Sequence, residues 1–271
     1  MKIVAGIQCY NEEDFIRESV LSLYSFCSKI IITEGCWESG IKTGKSARSS
    51  DNTIDYIKSI PDPLNKIKLY HFNGKAQVDH RHFTLEKAKQ YNPDWYINGD
   101  GDEIFHEKEI DDLINILKSG VTSVNPTHKL FWNGLEFYEE WKPMGRFFKL
   151  SNLNLSKVKT SRIHCNHIDY PGNIFRNPLT PKDIYIYHPS YSKNISRQKF
   201  KIEHRTIDNK KKFPHYIKDN LIIRGNQNLN KWIKSLKRHE KNKLPKYLQD
   251  HKFCSESLKF NEFIQSQPQN L

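Results

Sequence analysis

The residues with the clearest chemical potential are Asp100, Asp102 and Glu103, in the run GDGDE at positions 99–103. Two carboxylates separated by one glycine, directly after an apolar run, are costly to bury unless a cation or hydrogen-bond donors offset their charge. Oxygen ligands suit Mg2+ or Mn2+, ions commonly shared with substrate phosphates. Gly101 permits a tight backbone and close ligand approach. Taken alone, the pattern fits an acidic turn that caps the next helix equally well. His188 is the next candidate: it closes the aromatic run IYIY at 184–187. Imidazole can join a carboxylate metal site, Mn2+ in particular, and the plain alternative is a buried histidine bonded to backbone. Lys193, Arg197 and Lys199 follow it closely. They could neutralise phosphate charge or form a solvated helix face.

These residues need a scaffold, and the first 120 residues supply one in alternating pattern. Residues 2–8 (KIVAGIQ), 29–33 (KIIIT), 66–72 (KIKLYHF) and 95–98 (WYIN) read as buried strands. Between them lie helical patterns. Asn11 is the expected N-cap of the first, with Ile16, Val20, Leu23, Tyr24 and Cys27 on its apolar face. Asp51 is the expected cap of a short helix carrying Ile54 and Ile57. Val78, Phe83, Leu85 and Ala88 mark a third, and residues 107–117 a fourth. Such an order predicts a largely parallel sheet flanked by helices, with ligands bound beyond the carboxyl ends of the strands. Cys9-Tyr10-Asn11, the loop from Glu34 and residues 100–103 should therefore converge. Beyond about residue 120 the pattern shifts to short β-like pieces at 121–124, 129–132, 146–150 and 184–188, an α+β half. From residue 193 the chain is basic and reads as mainly helical. The expected organisation is a 1–120 α/β half, a 121–192 acceptor-side half of the same domain and a 193–271 extension.

The segments IVAGIQCYNEEDFIRESVLSL, IIITEG, SSDNTIDYI, DHRHFTLEKA and DWYINGDGDEIF together resemble those of family 2-like glycosyltransferases of the GT-A fold. The resemblance covers about the first 110 residues well and the remainder loosely. It implies a Rossmann-like, mostly parallel α/β sheet and transfer of a sugar from a nucleoside-diphosphate sugar. It further implies that Tyr10, Asn11, Glu12, Glu34, Asp51, Arg81 and Asp100 line the nucleotide-sugar pocket. Asp100 and Asp102, with His188, would hold Mn2+ or Mg2+. Glu34 stands where the family usually has aspartate, and residues 35–48 form a long basic insertion with Lys42, Lys45 and Arg48. An inverting transfer also needs a carboxylate base; Glu139, Glu140 and Asp169 lie in the half expected to bind acceptor.

The net charge of +12 favours a polyanionic partner without choosing one. Five cysteines, none in C-x-x-C spacing, suggest reduced thiols and a cytoplasmic setting. The run His164-Cys165-Asn166-His167 lacks partners at zinc spacing, and Cys9 has no activating base nearby in sequence. No stretch is long and apolar enough to span a bilayer, which leaves peripheral membrane contact compatible. The acceptor class, whether glycan, lipid-linked or protein, is not readable. A nucleotidyltransferase is the first alternative, but it would usually carry a glycine-rich basic loop after the first strand, and here that loop is CYNEED. A basic nucleic-acid-binding module is the second; it leaves the carboxylates unexplained and no nucleic-acid motif appears.

Overall fold

A computed structural model describes residues 1–42, 44–141, 145–160, 168–172, 174–175, 177–199, 215–218, 221–224, 229–254 and 257–266. The chain divides into two compact units, the first comprising Met1–Thr127 and Lys142–Ile186, the second His128–Trp141 and Tyr187–Leu271.

The first unit is built on β1 (Ile3–Cys9), α1 (Ile16–Tyr24), β2 (Lys29–Glu34), α2 (Glu38–Lys42), α3 (Thr53–Ser59), β3 (Ile67–His71), α4 (Gln77–Lys89), β4 (Trp95–Asp100) and α5 (Ile110–Lys118). The four strands run parallel in the order β3-β2-β1-β4. Beyond β4 the sheet turns antiparallel through Phe147–Lys149 and then Ser123–Val124. It is thus the mostly parallel, mixed α/β sheet expected from the strand–helix alternation.

The apolar character of β1 and β2 on both faces explains their central place. Ala5, Ile7, Ile30 and Ile32 pack with Ile16, Val20 and Leu23 on one side. Val4, Ile31 and Tyr96 pack with Leu85 and Ala88 on the other. Fully burying one such aliphatic side chain stabilises by roughly 1.5–3 kcal/mol. Gly6 is required by packing: a Cβ there would stand 2.3 Å from the Tyr96 hydroxyl.

Two local expectations need correcting. Asn11 does not cap the first helix; α1 begins at Ile16 after Phe15, with no side-chain cap. Asn11 instead sits at φ 52°, a conformation asparagine tolerates, and its side-chain oxygen accepts from the Ser50 amide. The segment 107–117 is a short 3-10 turn, Glu107–Glu109, followed by α5.

The second unit holds the strands Lys237–Arg238 and Phe137–Trp141 and most of Thr127–Trp132 and Tyr185–Tyr191, adjacent in that order. Its core joins Leu130, Trp132, Tyr191, Ile222, Ile223, Trp232 and Phe260. The described part of the basic C-terminal stretch holds the helices Leu229–Ser235 and Ser257–Ser266, together with an antiparallel hairpin, His215–Lys218 with Leu221–Arg224. The hairpin was not expected from the helical reading. The runs 164–167 and 210–212 lie outside the described residues.

A carboxylate–guanidinium cluster at the strand ends

The parallel order places the carboxyl ends of β1, β2 and β4 side by side, with Gln8 in register with Asp100 and Cys9 with Glu34. The expected convergence is present. Gly101 donates its amide to Gln8 O at 3.1 Å, and Gly35 donates to Cys9 O at 3.2 Å. A Cβ on Gly101 would meet Cys9 Cβ at 3.1 Å and Glu12 Cγ and Ile16 Cδ1 at 3.3 Å. Any larger residue would therefore push the carboxylate turn away from β1.

Asp100 is held by three donors from three elements. Gln8 Nε2 donates to Oδ1 at 3.0 Å, and Arg81, from α4, donates to the same oxygen at 2.6 Å. Arg146 donates from the opposite side to Oδ2 at 3.2 Å. Arg146 reaches this place because the strand that follows it, Phe147–Lys149, runs antiparallel to β4: Ile97 pairs with Phe147, and the Asn98 amide donates to Arg146 O at 2.8 Å. Its Nε lies 2.9 and 2.8 Å from the two oxygens of Glu103, and Nη2 also donates to Glu103. Arg81, Arg146 and Glu103 are buried, at 2%, 3% and 1% exposure, so these pairs act with little screening by salt. Arg81 is further fixed by Asn98 Oδ1 at 2.8 Å.

Two guanidiniums thus face the carboxylates of Asp100 and Glu103, and the carboxylate of Asp102 adds a further negative charge. Burial pulls the Arg146 pKa down, but Glu103, Asp100 and Asp102 outweigh it and hold the value above the ordinary arginine range. Asp102 is buried beside them. Sequence reasoning identified Asp100, Asp102, Glu103 and Arg81 but missed Arg146 and Gln8 as members of this cluster. The one available signal was a lone arginine opening the apolar run RFFKL.

A second set of contacts ties residues 10–13 to the loop before α3. Tyr10 donates its hydroxyl to Ser46 O at 3.0 Å, and the Asn11 amide donates to Ser49 Oγ at 2.9 Å. Glu12 N donates to Thr53 Oγ1 at 2.6 Å, and Glu13 N to Asp51 Oδ2 at 3.2 Å. Asp51 also accepts from Thr53 N, the first residue of α3, at 3.0 Å, but the N-cap position expected for Asp51 is taken by Asn52, with no side-chain cap. Glu34 accepts from Ser49 N at 2.6 Å and lies 3.1 Å from His71 Nδ1. Its extra methylene lets it span the loop and β3. Burial, then Cys36, Glu34 and Asp51, raise the Tyr10 pKa, which keeps the phenol neutral. Gly35 has φ 147°, and a Cβ there would clash with Phe72 O at 2.4 Å. The basic insertion after it is pinned by Cys36 N to Ala47 O and by Asn73 Nδ2 to both of those residues' carbonyls.

Asp169 is exposed in the pair Lys159–Thr160 with Ile168–Asp169. Glu139 and Glu140 belong to the second unit, where Arg224 Nη1 binds Glu139 at 3.0 and 2.8 Å and Lys237 pairs with Glu140 at 2.7 Å. His188 is also in the second unit, its ring 5.6 Å from that of His128. Cys9 is buried, as expected for a strand-end cysteine.

His80, next to Arg81, packs edge-on against Trp37 and Phe72, and its Nε2 accepts from the Gly74 amide at 3.2 Å. Burial lowers its pKa from 6.5 to about 4. The unfolded chain therefore takes up this proton first. The stabilisation from neutral His80 is full above pH 6.5 and is lost as pH falls toward 4, by about 3 kcal/mol in all. Urea midpoints of the wild type should fall between pH 6.5 and 4.5, and those of His80→Gln should fall less over that window.

No family model matches the sequence, and no curated protein matches it significantly. Among solved structures, the chain is similar to Staphylococcus aureus TarS 1–349 in complex with UDP-GlcNAc, with 13% identity and a TM-score of 0.47 over 70% of this chain and 59% of that one. It is similar to the mannosyltransferase PcManGT from Pyrobaculum calidifontis in complex with GDP-Man and Mn2+, with 11% identity and a TM-score of 0.43 over 77% and 64% of the two chains. A third similarity is to 4-diphosphocytidyl-2C-methyl-D-erythritol synthase from Anaerococcus prevotii, with 12% identity and a TM-score of 0.37 over 77% and 96%. The chain thus spans less than two-thirds of the first two. Its own strand order, with carboxylates gathered where β1, β2 and β4 end, gives it the GT-A-like α/β architecture that the sequence resemblance implied.

Proposed function

We propose that the chain is a metal-dependent glycosyltransferase that uses a nucleoside-diphosphate sugar, with the acceptor left open. The observation that carries this reading is the Asp100 carboxylate, fixed by Arg81 and Arg146 at the open ends of parallel strands, with Asp102 two residues on. A structural acidic turn would need only to cap the next helix. Here the first carboxylate is held by buried guanidiniums from two other elements, which is an expensive arrangement to keep for a turn.

The donor set suits Mg2+ or Mn2+. Asp100 Oδ2 accepts one hydrogen bond and so retains coordinating capacity. Gln8 Oε1 is a buried oxygen with no hydrogen-bond partner, on the same carboxamide that donates to Asp100. Asp102 adds a buried carboxylate. Asp100 and Asp102 together would supply the carboxylate oxygens, with Asp100 oriented by the two arginines. A bound ion would supply positive charge against the diphosphate as the glycosidic bond breaks.

Tyr10, Asn11, Glu12, Glu34 and Asp51 form the wall for the nucleoside. Their hydrogen bonds to Ser46, Ser49, Ser50, Thr53 and Glu13 make that wall rigid before any ligand arrives, which lowers the ordering cost of binding. The test is incubation with a panel of UDP- and GDP-sugars and Mn2+. Release of nucleoside diphosphate, by transfer or slow hydrolysis, is expected for one donor. Release of pyrophosphate from a sugar phosphate and a nucleoside triphosphate would instead support a nucleotidyltransferase.

A further inference from the structure

The carboxyl ends of β1, β2 and β3 form one row, in which Cys9 is in register with Glu34 and Glu34 with His71. On the other side of β1, Gln8 is in register with Asp100. His71 therefore closes the row that Asp100 opens, three strands along in the order β4-β1-β2-β3. At about 4.8 Å between neighbouring strands, the two ends stand about 14 Å apart. An extended nucleoside diphosphate has a comparable reach from the edge of its base to its terminal phosphate.

Glu34, the acid of this row, faces the protein. Its Oε1 accepts from the Ser49 amide at 2.6 Å, and its Oε2 lies 3.1 Å from His71 Nδ1. The side chain of Glu34 is 2% exposed and that of His71 30%, so the imidazole is the member of the pair that an incoming ligand meets. A carboxylate only accepts hydrogen bonds, so Nδ1 carries the proton and the neutral ring presents Nε2 as an acceptor. Such an acceptor distinguishes bases. Uracil at N3 and guanine at N1 offer an imino N–H on the edge that reaches furthest from the ribose. Cytosine and adenine carry an unprotonated nitrogen there, which would meet Nε2 lone pair against lone pair.

We infer that His71 Nε2 reads the base of the nucleotide, with Glu34 fixing its tautomer, so that the site takes a uridine or guanosine diphosphate and rejects the cytidine and adenosine counterparts. The inference rests on the reading of Asp100 and Asp102 as the diphosphate end and adds to it the group that selects the base. Glu34 acts only through the ring, as a positioning residue. Its replacement by glutamine has a consequence that a purely structural role would not have. The Ser49 amide holds the carbonyl oxygen of the new side chain, which turns the N–H pair toward Nδ1. Nδ1 must then accept, the proton moves to Nε2, and the ring presents a donor where it presented an acceptor.

Titration calorimetry of the full chain with UDP, GDP, CDP and ADP, each in the presence of Mn2+, tests this. The better of UDP and GDP should bind at least about tenfold more tightly than CDP and ADP. His71→Phe keeps a flat ring and removes both nitrogens. It should weaken the preferred nucleotide by about tenfold and leave CDP and ADP unchanged, so that the preference disappears. Glu34→Gln should shift the preference toward CDP. Because His71 is partly exposed, His71→Phe carries the test even if Glu34→Gln fails to fold. A wild-type preference for CDP or ADP, or a preference for UDP or GDP that His71→Phe leaves intact, overturns the inference while the metal-dependent reading stands. Binding of none of the four nucleotides with Mn2+ overturns both.

Discussion

Asp102→Asn should lower sugar transfer and donor hydrolysis by about three orders of magnitude, which corresponds to about 4 kcal/mol of lost transition-state stabilisation. The substitution keeps the size of the side chain, removes its charge and turns one acceptor oxygen into an N–H donor. Because Asp102 is buried beside Arg146, the variant should fold. Its defect should appear in kcat and in the Mn2+ concentration needed for half-maximal rate. Unchanged circular dichroism with lost activity is the expected pair of observations. Activity within tenfold of wild type at all Mn2+ concentrations would remove Asp102 from the reaction.

Arg146→Met should have the largest effect on stability. The guanidinium bridges Glu103, which is 1% exposed, and Asp100. Removing it leaves a buried carboxylate without its principal counter-charge, and breaking such a pair costs about 3–5 kcal/mol. Urea denaturation would show this as a lowered midpoint with an unchanged slope. The companion Arg146→Lys keeps the charge but not the fork that spans both carboxylates, so it should lie between wild type and Arg146→Met. The double variant Glu103→Met/Arg146→Met should recover much of the stability, since two apolar side chains can replace a buried pair at little cost. It should not recover transfer, because Asp100 would still lack its second anchor. If the double variant is as unstable as the single, the loss is one of packing and not of uncompensated charge.

The parallel core was legible because short apolar and aromatic runs of strand length recur between helical patterns: residues 3–9, 29–34, 67–71 and 95–100 are strands almost as their composition dictates. The carboxylates were legible because two acids around a glycine have few cheap explanations at a strand end. Arg146 was not legible, since its partners Asp100 and Glu103 lie 46 and 43 positions away and the link is made only by antiparallel pairing beside β4. Asn11 misled for a related reason: an asparagine before a helical pattern usually caps it, and here its oxygen is taken by Ser50, 39 positions on. The strand Phe137–Trp141 carries two glutamates in five residues and so lacks an apolar signature; its acids are neutralised by Arg224 and Lys237, from distant parts of the sequence.

The central claim is that Asp100 and Asp102 bind a divalent ion together with a nucleoside diphosphate. Its most direct test is the thermal midpoint of the full chain with UDP and with GDP, each with and without Mn2+. Ligand binding to the folded state at a hundredfold excess over Kd stabilises by about 2.7 kcal/mol, enough for a clear shift. The account predicts that one nucleotide raises the midpoint only when Mn2+ is present, and that Asp102→Asn abolishes the rise. A nucleotide shift that is the same without metal, or one that survives in Asp102→Asn, would contradict it.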